Sequence, residues 1–176
     1  MTIAIRRPGP DEAPAFAALH VACWKEAYRG IVPDKILASA GPDGWLSVWQ
    51  GALADSARIV LGACDGGEPV GFILAGPPLD PLTEGIDGQI YALYIRSNHQ
   101  RRGIGRRLMG TAARAWLGRG GIALTLGVLE GNSPARNFYE ALGGRQVTTA
   151  AYDWEGYPLS DAIYVFEDLA GLADRA

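Results

Sequence analysis

Ten residues of this chain, His99 to Leu108, read HQRRGIGRRL and set four arginines around two glycines. The chain as a whole is acidic, with a formal net charge of -3 and a pI near 5.4. Positive charge gathered around a glycine turn is the chemistry of an anion site. Glycine supplies backbone conformations that other residues resist and lets a ligand approach the main chain. Arginine forks match phosphate oxygens in pairs. A helix starting here would add unpaired N–H groups and a favourable dipole. The stretch reads as a pyrophosphate cradle formed by Gln100, Arg101, Arg102, Gly103, Ile104, Gly105 and Arg106, with Arg107 adding charge. For the arginines alone, a solvated basic helix face would be the better reading. The glycines and the strand–helix context move it to phosphate.

Two common phosphate motifs are excluded. No G-x-x-x-x-G-K-[ST] run exists. The dinucleotide fingerprint would need a glycine where Leu108 stands, and a turn directly after the strand, where RSNHQRR intervenes. Cys23 and Cys64 form neither a zinc-ligand spacing nor a disulfide framework, so both read as small core residues and no metal is expected. Overall acidity argues against general nucleic-acid binding. No apolar run approaches the ~20 residues of a membrane helix, so no membrane partner is expected. The opening MTIAIRRPGPDE lacks the apolar core of a signal peptide, which makes a cytoplasmic protein the expectation.

The elements that must position the loop follow from periodicity. Thr2–Arg7 alternates as a short strand. Asp11–Tyr28 is helical, with Phe16, Leu19, Cys23 and Ala27 on one face and His20, Trp24 and Tyr28 in an adjacent row. Short helices are expected at PDKILA and over Trp45–Leu53. Ala57–Ala63 and Val70–Ala75 flank a DGGE turn and form a hairpin. Gln89–Ile95 reads as a central strand covered on both faces. A helix follows the arginine loop and ends at Gly118, Gly120 and Gly121. Ala123–Leu129 is a buried strand. Ser133 is the expected N-cap of the next helix, with Pro134 at its first position. Val147–Tyr152 and Ala162–Leu169 are closing strands around a turn-rich DWEGYPLSD. The sum is one α/β domain, residues 1–176, with one mixed sheet and helices on both faces.

With these elements placed, YALYIRSNHQRRGIGRRLM resembles the acetyl-CoA segment of the GNAT superfamily of N-acetyltransferases, whose Q/R-x-x-G-x-G/A hallmark is Gln100 to Gly105 here. EGNSPARNFYEALGG resembles that family's second signature. The resemblance implies a mostly antiparallel α+β sheet, splayed between Tyr91–Ile95 and Ala123–Leu129 to admit pantetheine. It also implies acetyl transfer from a thioester to an amine. Backbone N–H groups at Leu93, Tyr94 and Ile95 would meet the developing oxyanion, and Asn132 would contact the cofactor arm. Tyr139 would protonate the departing thiolate, although as a neighbour of Phe138 it also reads as plain packing.

The general base stays open. Gln89 stands where relatives often carry a carboxylate and cannot take a proton, which leaves Glu84, Asp87, His20 or water. ACWKEAYRGIVP resembles a segment over the acceptor site, so Trp24 and Tyr28 are the candidate acceptor contacts, with Trp154 and Tyr157 at the rim, although Trp24 and Tyr28 also read as core packing of the first helix. No cysteine lies in either signature, which points to direct transfer in a ternary complex. The expected partners are acetyl-CoA and an amine, with a homodimer compatible. A non-catalytic acetyl-CoA sensor and an enzyme for a longer acyl-CoA are the alternatives.

Overall fold

The computed structural model describes residues 2–39, 41–79, 82–154 and 156–175. Its strands are β1 (Ile3–Arg6), β2 (Ile59–Asp65), β3 (Glu68–Gly76), β4 (Gly88–Ile95), β5 (Leu124–Leu129), β6 (Arg145–Trp154) and β7 (Tyr157–Phe166). They form one sheet in the order β1-β2-β3-β4-β5-β7-β6. Only β4 and β5 run parallel; every other neighbouring pair is antiparallel. The helices are α1 (Ala13–Tyr28), α2 (Asp34–Ser39), α3 (Pro42–Ala54), α4 (Ile104–Leu117), α5 (Ser133–Ala141) and α6 (Leu169–Asp174).

Each face of the sheet has its own core. On one side Ile104, Leu108, Met109, Ala112 and Trp116 of α4 recur at helical spacing and are buried against Ile73, Ile90, Leu124 and Leu126. On the other, Phe16, Leu19 and Cys23 of α1 and Trp49 of α3 bury Val60, Phe72 and Leu74. A third, smaller cluster joins Trp24 at the end of α1 to Ile36 and Leu37 of α2 and Leu129 of β5.

Three local expectations are corrected. Asn132, not Ser133, caps α5: its side-chain oxygen accepts from the Ala135 N–H at 3.3 Å, which moves Pro134 to the second helical position. The last two strands are longer than their alternation suggests and pair as far as Trp154↔Tyr157, because the turn tightens around Gly156 at φ +84. The final apolar residues form helix α6 rather than prolonging β7. Asp168 caps that helix by accepting from the Gly171 N–H at 2.9 Å.

Candidate active site at the strand opening

The parallel strands β4 and β5 share only two residue pairs, Gly88↔Leu124 and Gln89↔Thr125. Beyond them the strands part. A bulge assists this: Leu74 pairs with Ala92 but Ala75 with Ile90, so Tyr91 is an extra residue in β4. A bulge bends its strand and increases twist. The expectation of a central strand covered on both faces therefore holds only at its start. Gly88 and Ile90 are buried, whereas Tyr91, Ala92, Leu93, Tyr94 and Ile95 are all half-buried. The splay lies where the resemblance set it, and it leaves main-chain polar groups of Leu93 to Ile95 without a ladder partner on the β5 side.

The arginine loop sits at the open end of β4. Gln100 ties it down, its Nε2 donating to the Ile95 carbonyl at 3.0 Å. Arg101 (φ 61) and Gly103 (φ 79) both occupy the left-handed region. Arg102 between them lies outside it, and left-handed residues alternating with ordinary ones turn successive N–H groups toward one point, the geometry of an anion nest. Gly103 precedes α4, and its carbonyl accepts from the Arg107 N–H at 3.1 Å. A Cβ at Gly103 would meet nothing within 4 Å, so its glycine is required for conformation alone. Gly105 differs from the expectation of ligand approach. A Cβ there would lie 2.9 Å from Ile95 Cδ1 and 3.0 Å from Phe138 Cζ, so its absence lets β4, α4 and α5 pack closely.

The arginines divide the same way. Arg107 donates to the Ile3 carbonyl at 3.1 Å and secures β1. Arg102 lies 4.0 Å from Asp65, which also holds His99 at 3.4 Å. Arg101 and Arg106 are exposed and make no side-chain hydrogen bond or ion pair among the described residues.

Tyrosines surround the gap. Tyr139 of α5 is buried and packs on Phe138, Tyr164 and Phe166. Burial, and then the nearby Tyr28 phenol, raise its pKa well above the ordinary tyrosine value. Tyr94 of β4 donates to the Tyr28 hydroxyl at 3.1 Å. Burial raises the pKa of both, and Tyr139 adds to the shift of Tyr94. Trp24 is buried against Tyr28 and Trp154. Tyr157 is exposed at the end of the last hairpin. A cleft of about 230 Å³ opens beside Tyr94, lined by His20, Trp24, Trp45, Arg58 and Tyr91 among others.

The candidate bases resolve by position. Asp87 pins the start of β5, accepting from the N–H groups of Ile122 and Ala123 and from the Trp116 indole. Burial alone would raise its pKa, but these hydrogen bonds outweigh it and hold the carboxyl below its ordinary value. Gln89 accepts from the Leu79 N–H at 2.8 Å and anchors the β3–β4 connection. His20 is buried, its ring 3.8 Å from that of Trp45, and burial lowers its pKa to about 3. Glu84 is an exposed turn residue.

Sequence reading missed Asp161 and Tyr152. Ala162, Tyr164 and Phe166 of β7 face the core beneath α4, so by alternation Asp161 faces the side of α1. It accepts a hydrogen bond from the Tyr152 hydroxyl at 3.4 Å. A Cβ on Gly127, the one exposed residue of β5, would come within 2.9 Å of its Oδ2. The available signal was a lone charge entering the apolar run AIYVF.

A family model described as acetyltransferase (GNAT) family matches residues 15–144. The uncharacterized N-acetyltransferase YuaI of Bacillus subtilis (strain 168) is 29% identical over 171 residues, covering 97% of this chain and 96% of its own. A Mycobacterium tuberculosis protein named "Probable N-acetyltransferase Rv2775" is 34% identical over 143 residues, covering 78% and 77%. Among solved structures, the PaiA N-acetyltransferase of Thermoplasma acidophilum in complex with coenzyme A superposes with a TM-score of 0.74 at 20% identity, covering 95% of this chain and 99% of that one. The acetyltransferase YncA of Salmonella typhimurium, described as putative and solved with acetyl-CoA, gives 0.70 at 15% identity, with 95% and 94% covered.

Proposed function

This chain belongs to the acetyltransferase (GNAT) family and is an N-acetyltransferase, and from that premise we propose that it binds acetyl-CoA between β4 and β5 and passes the acetyl group directly to a primary amine of a small molecule or protein. The observation that carries the reading is the half-buried run Tyr91–Ile95 of a central strand, next to a left-handed glycine loop at the start of α4. A gap of that kind accepts an extended ligand with amides of its own. The catalytic unit is the single domain made by all seven strands.

In this reading the pyrophosphate lies on the backbone of residues 100–106, with Arg101 and Arg106 nearest to hand. The pantetheine arm runs along the unpaired edge of β4. Asn132 serves mainly as the α5 cap, so its contribution to the cofactor arm is to fix where that helix begins. The thioester carbonyl points at main-chain N–H groups of Leu93 to Ile95, which stabilise the oxyanion as it forms. The acceptor enters from the α1 side, past Trp24 and Tyr28. An amine of ordinary pKa, roughly 10, is almost wholly protonated at neutral pH, so a proton must leave before attack. Its nitrogen then bonds to the carbonyl carbon, the C–S bond breaks, and Tyr139 gives its proton to the thiolate. A phenol held protonated by burial suits that donation.

The test pairs calorimetry of coenzyme A binding with thiol release from acetyl-CoA across alkylamines, arylamines and peptides. Binding together with amine-dependent thiol release is the expected result. Failure to bind coenzyme A overturns the reading. Binding with no turnover on any amine would indicate a sensor.

A further inference from the structure

Asp161 has the setting of a group that waits for a cation. It is half-buried and faces the acceptor side of the sheet, against Gly127, where β5 carries no side chain. Its only hydrogen-bond donor among the described side chains is the Tyr152 hydroxyl. No arginine, lysine or histidine pairs with it among the described residues. Removing a carboxylate from water without a counter-ion is costly, and the usual resolution is a bound cation or a retained proton. The groups facing it are Tyr152 from β6, Glu130 beyond β5 and Tyr28 from α1, and none brings positive charge.

Resting on the acetyl-transfer reading above, we propose that Asp161 receives the ammonium of the acceptor and takes its first proton, so that the acceptor is a cationic amine seated between Asp161 and the rings of Tyr28 and Tyr152. The protons balance. One passes from R–NH3+ to the Asp161 carboxylate and on to solvent. The neutral amine attacks, and the C–N bond forms as the thioester carbonyl becomes an oxyanion. The C–S bond breaks as Tyr139 protonates the sulfur. The nitrogen's second proton restores Tyr139, and the third stays on the amide. Burial raises the pKa of Asp161, with Glu130 adding to the rise and the Tyr152 hydrogen bond opposing it, which narrows the gap between this acid and an ammonium.

The experiment uses the full chain and follows thiol release with the amine panel. Asp161→Asn keeps the shape and removes the base. Because it replaces an unpaired carboxylate, its melting temperature should match or exceed the parent's. Its kcat/KM for the best alkylamine should fall by about 100-fold or more, the scale of general base help, while acetyl-CoA affinity holds. Tyr152→Phe provides the second variant. It removes the donor that opposes the rise, so the acid limb of the kcat/KM profile should move to higher pH. Wild-type kcat/KM in a folded Asp161→Asn protein overturns the proposal while leaving acetyl transfer intact. If Asp161→Asn does not fold, an unmoved acid limb in Tyr152→Phe overturns it. A panel whose active members are all neutral arylamines or carboxylate-bearing amines overturns the substrate class. A wild type that binds coenzyme A and acetylates nothing removes the transfer reading itself, and this inference with it.

Discussion

Gly103 offers the sharpest test of the loop, because its requirement is conformational and nothing else. Its φ is +79, and a Cβ there would meet no atom within 4 Å. An L-residue in the left-handed region costs about 1–2 kcal/mol, more for a β-branched one, and asparagine is the side chain that tolerates it best. With no clash to add, Gly103→Ala carries that cost alone. If the free loop relaxes to escape the strain, the ligand must restore the left-handed turn. At 1.36 kcal/mol per tenfold, coenzyme A affinity should fall about 5- to 30-fold. Gly103→Val should lose at least as much, and Gly103→Asn no more than about threefold. Calorimetry of coenzyme A binding reads all three. Melting temperatures should move little, since the loop lies outside both cores. Parent-like affinity in a folded valine variant would refute the idea that this backbone holds the phosphates. An asparagine variant as weak as valine would refute the conformational argument.

Tyr139→Phe should lower kcat by at least about tenfold, with acetyl-CoA affinity little changed; parent-like turnover across the pH range would make Tyr139 a packing residue. Tyr28→Ala should raise the amine KM more than the acetyl-CoA KM, and equal effects in steady-state kinetics would count it as core. His20, held to about pH 3 by burial, should show no titration by NMR between about pH 5 and 8. Its folded pKa lies below its ordinary 6.5, so the unfolded chain binds the extra proton first. Stability should therefore decline as pH falls below 6.5 towards 3, and His20→Phe should flatten that slope in denaturant titrations.

Element type and order were readable because the periods are clean. Ile104, Leu108, Met109, Ala112 and Trp116 fall on one helical face, and all are buried. The loop was readable because glycine and arginine carry chemistry that a plain surface does not need. What stayed hidden depends on partners distant in sequence. Gly105 reads as a ligand-approach residue until Ile95 and Phe138 close over it. Asp87 reads as a base until Ile122, Ala123 and Trp116 donate to it. Asp161 looks like one more surface charge until its register with Leu129 brings it to the opening. Alternation also cannot show where two parallel strands stop pairing, since both continue as apolar strands after they part.

The two-pair junction of β4 and β5 makes the site a lever. From Gln89 to Ile95 the strand extends six residues past its last β5 partner, about 20 Å at ~3.3 Å per residue. A rotation of about 3° at the fulcrum then moves the far end by about 1 Å, a displacement that can cost about 10²-fold in rate. The fulcrum is built with little tolerance. A Cβ on Gly88 would come within 2.6 Å of the Trp116 ring and 2.7 Å of Leu124, and Asp87 fastens the next residues across the joint. Substitutions there act on the angle of the jaws rather than on any reacting atom, so the residues that set the transfer geometry include ones that never touch either substrate.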